Sequence, residues 1–171
     1  MHVAGRGGMG EVWQARHLVT RKPYAIKVLR QELVSDETAA ARFIQEARVM
    51  EAQGSGSIVN VSSIGGLRGS SGMGVYQATK HAVIGLTRTA AHDFGPLGVR
   101  VNVLAPGPTE SPMLAELRRT IPGGVEARIA ATPLRKPGTG AEVGATAAFL
   151  LSDRASHISG VVLPVDGGFL A

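Results

Sequence analysis

The sequence contains no cysteine, which excludes disulfides and thiolate metal sites. It has no run approaching the roughly 18–20 apolar residues that a membrane span requires. Its start, Met1-His2-Val3-Ala4-Gly5-Arg6, lacks the apolar core of a secretion signal. These absences set the expectation of a cytoplasmic chain with no membrane partner. Aromatic residues are scarce, at 4%. Charge of one sign is not concentrated either. The formal charge is +5, but residues 1–50 carry eight Lys/Arg and five Asp/Glu, and residues 51–171 carry ten and eight. A nucleic-acid footprint needs clustered basic residues, so no nucleic-acid partner is expected. His81, His92 and His157 show no ligand spacing with one another or with carboxylates, and no metal site is expected.

What is present suits a globular chain. Hydrophobic residues make up 44% and charged residues 18% of 171 positions, enough for one sizeable core. The 23 glycines point to tight turns or phosphate-binding loops. The character of the sequence changes near residues 51–57, where Gly54-Ser55-Gly56-Ser57 reads as a flexible joint. The organisation read from this is a fragment at 1–50, a junction at 51–57 and a second part at 58–171.

Upstream of the joint, short strands are expected near 2–6, 11–17 and 23–29. A helix is expected over 36–50, capped by Ser35, with Phe43, Ala47 and Met50 on one face. Downstream, residues 57–63 read as a buried strand. A helix follows from Tyr76 to Phe94, with Ala82, Leu86, Ala90 and Phe94 on its apolar stripe, and Gly95-Pro96 stops it. Residues 99–104 form a second strand. Thr139 and Glu142 make a capping box for a helix over 140–151. Residues 160–165 form a last strand, which Pro164 confines to a sheet edge or end. Strands alternating with helices predict an α/β fold with a parallel sheet.

Tyr76-Gln-Ala-Thr-Lys80 places a tyrosine and a lysine one helical turn apart on one face. A free phenol, with a pKa near 10, is a poor acid–base catalyst at neutral pH. A neighbouring ammonium favours the phenolate, so the pair makes a tuned proton donor and acceptor. Ser63 ends the preceding strand, where ligands gather in open α/β sheets. Its hydroxyl can hold a substrate oxygen. Taken alone the pair is a weak motif: Tyr76 also reads as a half-buried helix tyrosine, Lys80 as a solvated lysine and Ser63 as a turn residue.

The surroundings add a resemblance. Gly56–Ser63, Tyr76–Leu86, Gly98–Gly107, Pro133-Leu134-Arg135 with Phe149–Asp153, and Val165-Asp166-Gly167-Gly168 occur in the order found in short-chain dehydrogenases/reductases. Residues 56–171 resemble the C-terminal catalytic half of that family. The resemblance implies a partial Rossmann-like parallel sheet of about three strands with flanking helices. It implies an NAD(P)-dependent oxidoreductase moving a hydride between the nicotinamide of NAD or NADP and a small-molecule alcohol or carbonyl substrate. Ser63 would orient the substrate oxygen, Tyr76 would be the general acid/base, and Lys80 would lower the Tyr76 pKa and bind the nicotinamide ribose. Pro106 and Gly107 would flank the nicotinamide, and Ser111 would contact its carboxamide. The sequence leaves the oligomeric state open; the resemblance offers a homo-oligomer packed through the helix at 76–94 as one assembly. Asn102, Asp166, Gly167 and Gly168 are expected to serve turns and strand ends.

The first fifty residues read differently. Gly5-Arg-Gly7-Gly-Met-Gly10 satisfies G-x-G-x-x-G, a dinucleotide signature when a helix begins at the glycines. Gly5, Gly7, Gly10 and Val12 also match G-x-G-x-x-G-x-V, Tyr24-Ala-Ile-Lys27 matches V-A-I-K, and Glu46 falls on the next expected helix. This stretch, a short antiparallel strand piece plus one helix, resembles the start of a bacterial Ser/Thr protein kinase. The resemblance implies an ATP site formed by Gly5, Gly7, Gly10, Lys27 and Glu46, with an ordinary surface ion pair as the plainer alternative for Lys27 and Glu46. No H-R-D, D-F-G or A-P-E segment follows, so no phosphotransfer is expected. The family's cofactor-binding half is also absent from the 171 residues. The expectation is a chimeric chain with an incomplete oxidoreductase site, either completed by a partner chain or idle, with an ATP-binding remnant as the alternative.

Overall fold

The computed structural model describes residues 2–7, 10–16, 23–29, 50 and 52–171. The chain divides into two compact units, Met1–Val49 and Met50–Ala171.

The first unit contains a three-stranded antiparallel sheet in the order β1-β2-β3. Its strands are β1 (His2–Gly7), β2 (Gly10–Arg16) and β3 (Pro23–Leu29), close to the expected bounds. Gly7 pairs with Gly10, Gly5 with Val12, and Val12 with Lys27, with an irregularity between Val3 and Gly5. The helix expected over 36–50 lies outside the described residues, apart from Met50.

The second unit is a parallel sheet in the order β4-β5-β6, with β4 at Gly56–Val61, β5 at Val99–Pro106 and β6 at Val162–Val165. The central strand is buried along nearly its whole length because both of its faces are covered, Arg100 and Asn102 being its polar residues. Val99, Val101, Val103, Leu104 and Ala105 are each 1% exposed or less. One face packs against α1 (Gly74–Phe94), and α4 (Gly140–Leu151) packs against the sheet as well. Leu104, Leu150 and Ala155 centre a core that also takes in Val59, Val143 and Leu163. Pro164 sits on β6, an outer strand of this sheet, paired with Ala105.

The buried face of α1 takes in only part of the expected stripe. Gln77, Ile84, Thr87 and Ala90 are buried, whereas Ala82 and Leu86 are exposed. The helix carries apolar residues on two sides, and tertiary bonding selects one. Thr87 bonds the Val83 carbonyl at 2.8 Å and accepts from the Asn60 amide of β4 at 2.9 Å. The capping box forms as expected: the Glu142 N–H donates to Thr139 Oγ1 at 3.2 Å, and the Thr139 N–H donates to Glu142 Oε2 at 2.7 Å. Asp166 closes the last turn, with its carboxylate accepting from the Gly168 and Leu170 amides at 2.9 and 3.0 Å.

Two helices between β5 and α4 were not expected. They are α2 (Pro112–Thr120) and α3 (Gly124–Ala131). Leu114 and Val125 turn inward from them. Arg118 ties them at the surface, bonding Glu110 at 2.9 and 3.0 Å and Glu126 at 2.9 Å. The segment leaves and rejoins the body at one point. There the Gly138 N–H donates to the Pro108 carbonyl at 2.8 Å and the Glu110 N–H donates to the Gly138 carbonyl at 2.9 Å.

Candidate active site

The C-terminal ends of β4 and β5 open onto a cavity of about 320 Å³. Ser62 and Ser63 leave β4 and turn at once into a short 3-10 helix, Ile64–Gly66. Ser63 caps that turn, its Oγ accepting from the Gly65 N–H at 3.0 Å. The turn lies hard against α1. A Cβ at Gly66 would come within 2.6 Å of Ser62 Oγ, 2.8 Å of the Lys80 carbonyl oxygen and 2.9 Å of Ile84 Cδ1, so only glycine allows the approach. The Ser62 hydroxyl donates to the same Lys80 carbonyl at 2.8 Å, fixing the helix turn that carries Tyr76 and Lys80 to the strand end that carries Ser63.

Tyr76 and Ser63 flank a common point. From the Cβ position at Gly65, Tyr76 Cε1 is 3.2 Å away and Ser63 Oγ 3.5 Å away. Both residues line the cavity. Lys80 sits one turn along, its Nζ 5.6 Å from the Tyr76 ring centroid, within cation–π range. Burial pushes the Lys80 ammonium below its ordinary pKa of 10.5, because desolvation disfavours the charged form. The structure therefore brings Ser63, Tyr76 and Lys80 together as a phenol with a cation behind it and a hydroxyl beside it.

The remaining expected residues are distributed around this group. Gly107 lines the cavity with Pro108 and Thr109. A Cβ at Gly107 would stand 2.8 Å from Asp166 Cα, so the closeness of the β6 end demands glycine there. Pro106 ends β5 and is not among the lining residues. Ser111 is not among them either. Its hydroxyl accepts from the Leu114 N–H at 3.2 Å as the N-cap of α2. Gly5, Gly7, Gly10 and Lys27 lie in the first unit, on β1, β2 and β3. Glu46 lies outside the described residues. Asn102 is fully buried and bonds the Ile158 carbonyl and the Val161 N–H, a structural role, but in the middle of the central strand and not at the expected turn or strand end. Among the described residues no cluster of His, Asp or Glu could hold a metal ion.

A family model described as enoyl-(acyl carrier protein) reductase matches residues 30–170. The chain belongs to the short-chain dehydrogenase/reductase family. Levodione reductase of Leifsonia aquatica is 40% identical over 126 residues, covering 71% of this chain and 47% of the relative. A Streptomyces virginiae A-factor type gamma-butyrolactone 1'-reductase is 44% identical over 125 residues, covering 72% of this chain and 49% of the relative. The chain thus spans about half the length of these curated relatives. The crystal structure of an NAD(P)-dependent gluconate 5-dehydrogenase from Beutenbergia cavernae, described as putative and holding NADP at low occupancy, superposes with a TM-score of 0.73. It is 37% identical, covering 82% of this chain and 57% of that one. The match begins at residue 30, inside the stretch that the sequence likens to a kinase, and none of these relatives is a kinase.

Sequence reasoning missed several residues of the site. Arg68, Met113, Leu117, Arg128 and Phe169 line the cavity from four separate segments, and no linear spacing links them. Gly65 and Gly66 were legible only as part of a glycine-rich loop. Their exact requirement appears when the loop meets α1.

Proposed function

We propose that the chain carries the catalytic half of an NAD(P)-dependent oxidoreductase that interconverts an alcohol and a carbonyl on a small molecule. The observation that carries this reading is that Ser63 and Tyr76 line one cavity and both approach Gly65, with Lys80 over the Tyr76 ring. In the reducing direction the Ser63 hydroxyl donates a hydrogen bond to the substrate carbonyl oxygen. The Tyr76 phenol transfers its proton to that oxygen as the carbon becomes a carbinol. The Lys80 ammonium stabilises the phenolate left behind. In the oxidising direction the phenolate takes the carbinol proton back.

The described residues fit the nicotinamide end of such a cofactor: Gly107 and Pro108 line the cavity just past the end of β5, and Lys80 would hold the ribose hydroxyls. When bound, the nicotinamide supplies or accepts the hydride. Gly5, Gly7 and Gly10 lie on antiparallel strands and not in a turn between a parallel strand and a helix, the arrangement that holds a pyrophosphate. A partner chain or further residues supplying that wall belong to the proposal. Thermal unfolding of the chain with NADH and NADPH tests it. A ligand that binds only the folded state raises the transition, and a transition that neither nucleotide moves refutes a surviving site. Turnover unchanged in Tyr76→Phe refutes the proton step.

The assembly and location belong to the same reading. Val75 and Leu86 of α1 are 84% and 44% exposed, and we assign them to a homo-oligomer interface, which a measurement of mass in solution tests. No described helix is long and apolar enough to cross a membrane. A cytoplasmic site of action is checked by fractionation.

A second reading concerns residues 1–50 alone. The antiparallel hairpin that joins Gly7 to Gly10, with Lys27 opposite Val12 on the third strand, is compatible with an ATP-binding kinase-like remnant. It predicts Mg-ATP binding that Lys27→Met abolishes, and an unaffected variant rules it out.

A further inference from the structure

Two guanidinium groups, those of Arg68 and Arg128, stand on the wall of the cavity that holds Ser63 and Tyr76, and no Asp or Glu lines it. The two arginines of α2 are already paired. Arg118 is held by Glu110 and Glu126, and Arg119 by Glu116. Arg128 has no carboxylate partner among the described residues. Arg68 lies 5.2 Å from the centroid of the Phe169 ring, and that ring also lines the cavity, so the stacking keeps the guanidinium at the wall. Met73, Met113, Leu117 and Val125 make the rest of the wall largely apolar. A hydrocarbon-lined cavity with two cations and no acid is complementary to a molecule with an apolar body and an anionic group. A guanidinium binds carboxylate or phosphate oxygens through two parallel N–H bonds.

We infer that the substrate is an amphipathic oxyanion. Its hydrocarbon body lies along Met113 and Val125, and its carboxylate or phosphate is bound by Arg128 with Arg68. This rests on the reading of Ser63 and Tyr76 as the reacting end. The two guanidinium groups then fix which carbon of the chain reaches Tyr76, so they act as specificity-determining residues.

Calorimetric titration of the full chain with octanoate, octyl phosphate and octanamide tests the inference. At least one anion is expected to bind about tenfold more tightly than the amide, ~1.4 kcal/mol, with the advantage shrinking as salt is added. A preference for octanoate identifies a carboxylate, and a preference for octyl phosphate identifies a phosphate ester. Arg128→Gln is expected to shrink the advantage to about twofold, while Arg128→Lys retains part of it. Arg119→Gln removes the same charge from an exposed pair outside the cavity and is expected to leave the advantage intact. Arg128 is exposed, and circular dichroism checks that its variants stay folded. The inference is overturned if neither anion binds better than octanamide, or if the full advantage survives in the Arg68→Gln/Arg128→Gln double variant. The two readings fail separately. An anion preference without nicotinamide-nucleotide binding refutes the oxidoreductase reading alone, and nucleotide binding without an anion preference refutes the anion site alone.

Discussion

Replacing Asn102 should separate the contribution of one buried polar side chain from that of the apolar sheet around it. Asn102 lies in the middle of β5, fully buried, and links that strand to the loop entering β6. Its Nδ2 donates to the Ile158 carbonyl at 2.8 Å, and its Oδ1 accepts from the Val161 N–H at 3.1 Å. The Ile158 carbonyl keeps a second donor, the Arg100 guanidinium at 3.2 Å. The Val161 N–H has Asn102 alone among the described residues. Asn102→Leu keeps the γ-branched shape with somewhat more bulk and leaves the half-buried Val161 amide without its acceptor, at about 1–3 kcal/mol, with about 1 kcal/mol more for the second bond. The expected loss is about 2–4 kcal/mol, or about 4–16 °C in Tm for a chain of this length. Asn102→Asp keeps the acceptor for Val161 but turns the other oxygen onto the Ile158 carbonyl. Only the protonated carboxyl can donate there, so its folded pKa lies above the ordinary value of about 3.9. The Asp variant therefore approaches the native stability at low pH and loses ground as pH rises above about 4. Urea unfolding at pH 4 and pH 8 reads both effects. A Leu variant within about 0.5 kcal/mol of native, or an Asp deficit equal at the two pH values, would refute the reasoning.

Other expectations follow from the same geometry. Gly66→Ala drives a methyl group into Ser62, the Lys80 carbonyl and Ile84 and should cost about 1–3 kcal/mol as overpacking, read by urea unfolding; a neutral result would mean that the turn is not held against α1. The depressed Lys80 pKa means that the unfolded chain binds more protons between the folded value and 10.5, so stability rises with pH across that window. Lys80→Met should abolish that rise, measured by denaturation at a series of alkaline pH values. Glu142 is held at about 2 by hydrogen bonds from Lys136 and from Thr139. Its stabilisation is present above about 4.5 and is lost as pH falls through 2, and Glu142→Gln should flatten that part of the acid unfolding curve. Thr139→Ala removes the cap of α4 and should cost about 1 kcal/mol at neutral pH.

The parts of the molecule legible in the sequence are those whose signals are local. Residues 99–104 announced a strand, and Thr139 with Glu142 announced α4, because each pattern fits within a few residues; the burial expected of residues 57–63 is only partial, with Val61 53% exposed. Tyr76, Lys80 and Ser63 were found because helical spacing and a strand end place them without further information. The rest depends on tertiary contact. The stripe through Ala82 and Leu86 is as apolar as the buried one, and only the bond between Asn60 and Thr87 shows which face the sheet takes. The helix α2 did carry a start signal, Ser111 before Pro112, but Ser111 had been given a cofactor role that hid its capping one. Arg68 and Arg128 reach one cavity from segments sixty residues apart, which no periodicity reveals.

The stitching of Pro108 and Glu110 to Gly138 has a consequence for how such a chain can change. Everything between those positions, α2 and α3 included, leaves and returns at that neck and is tied to the body once more where the Leu134 N–H donates to the Gly167 carbonyl at 3.1 Å, with Arg118 holding the two helices to each other. That segment behaves as a cassette. Its length and side chains can be exchanged in one graft while β5, β6 and the Ser63–Tyr76–Lys80 group keep their places, so new selectivity can be tried on an unaltered reaction centre. Variation confined to the cassette should alter what binds, whereas changes in the body should alter whether the chain folds.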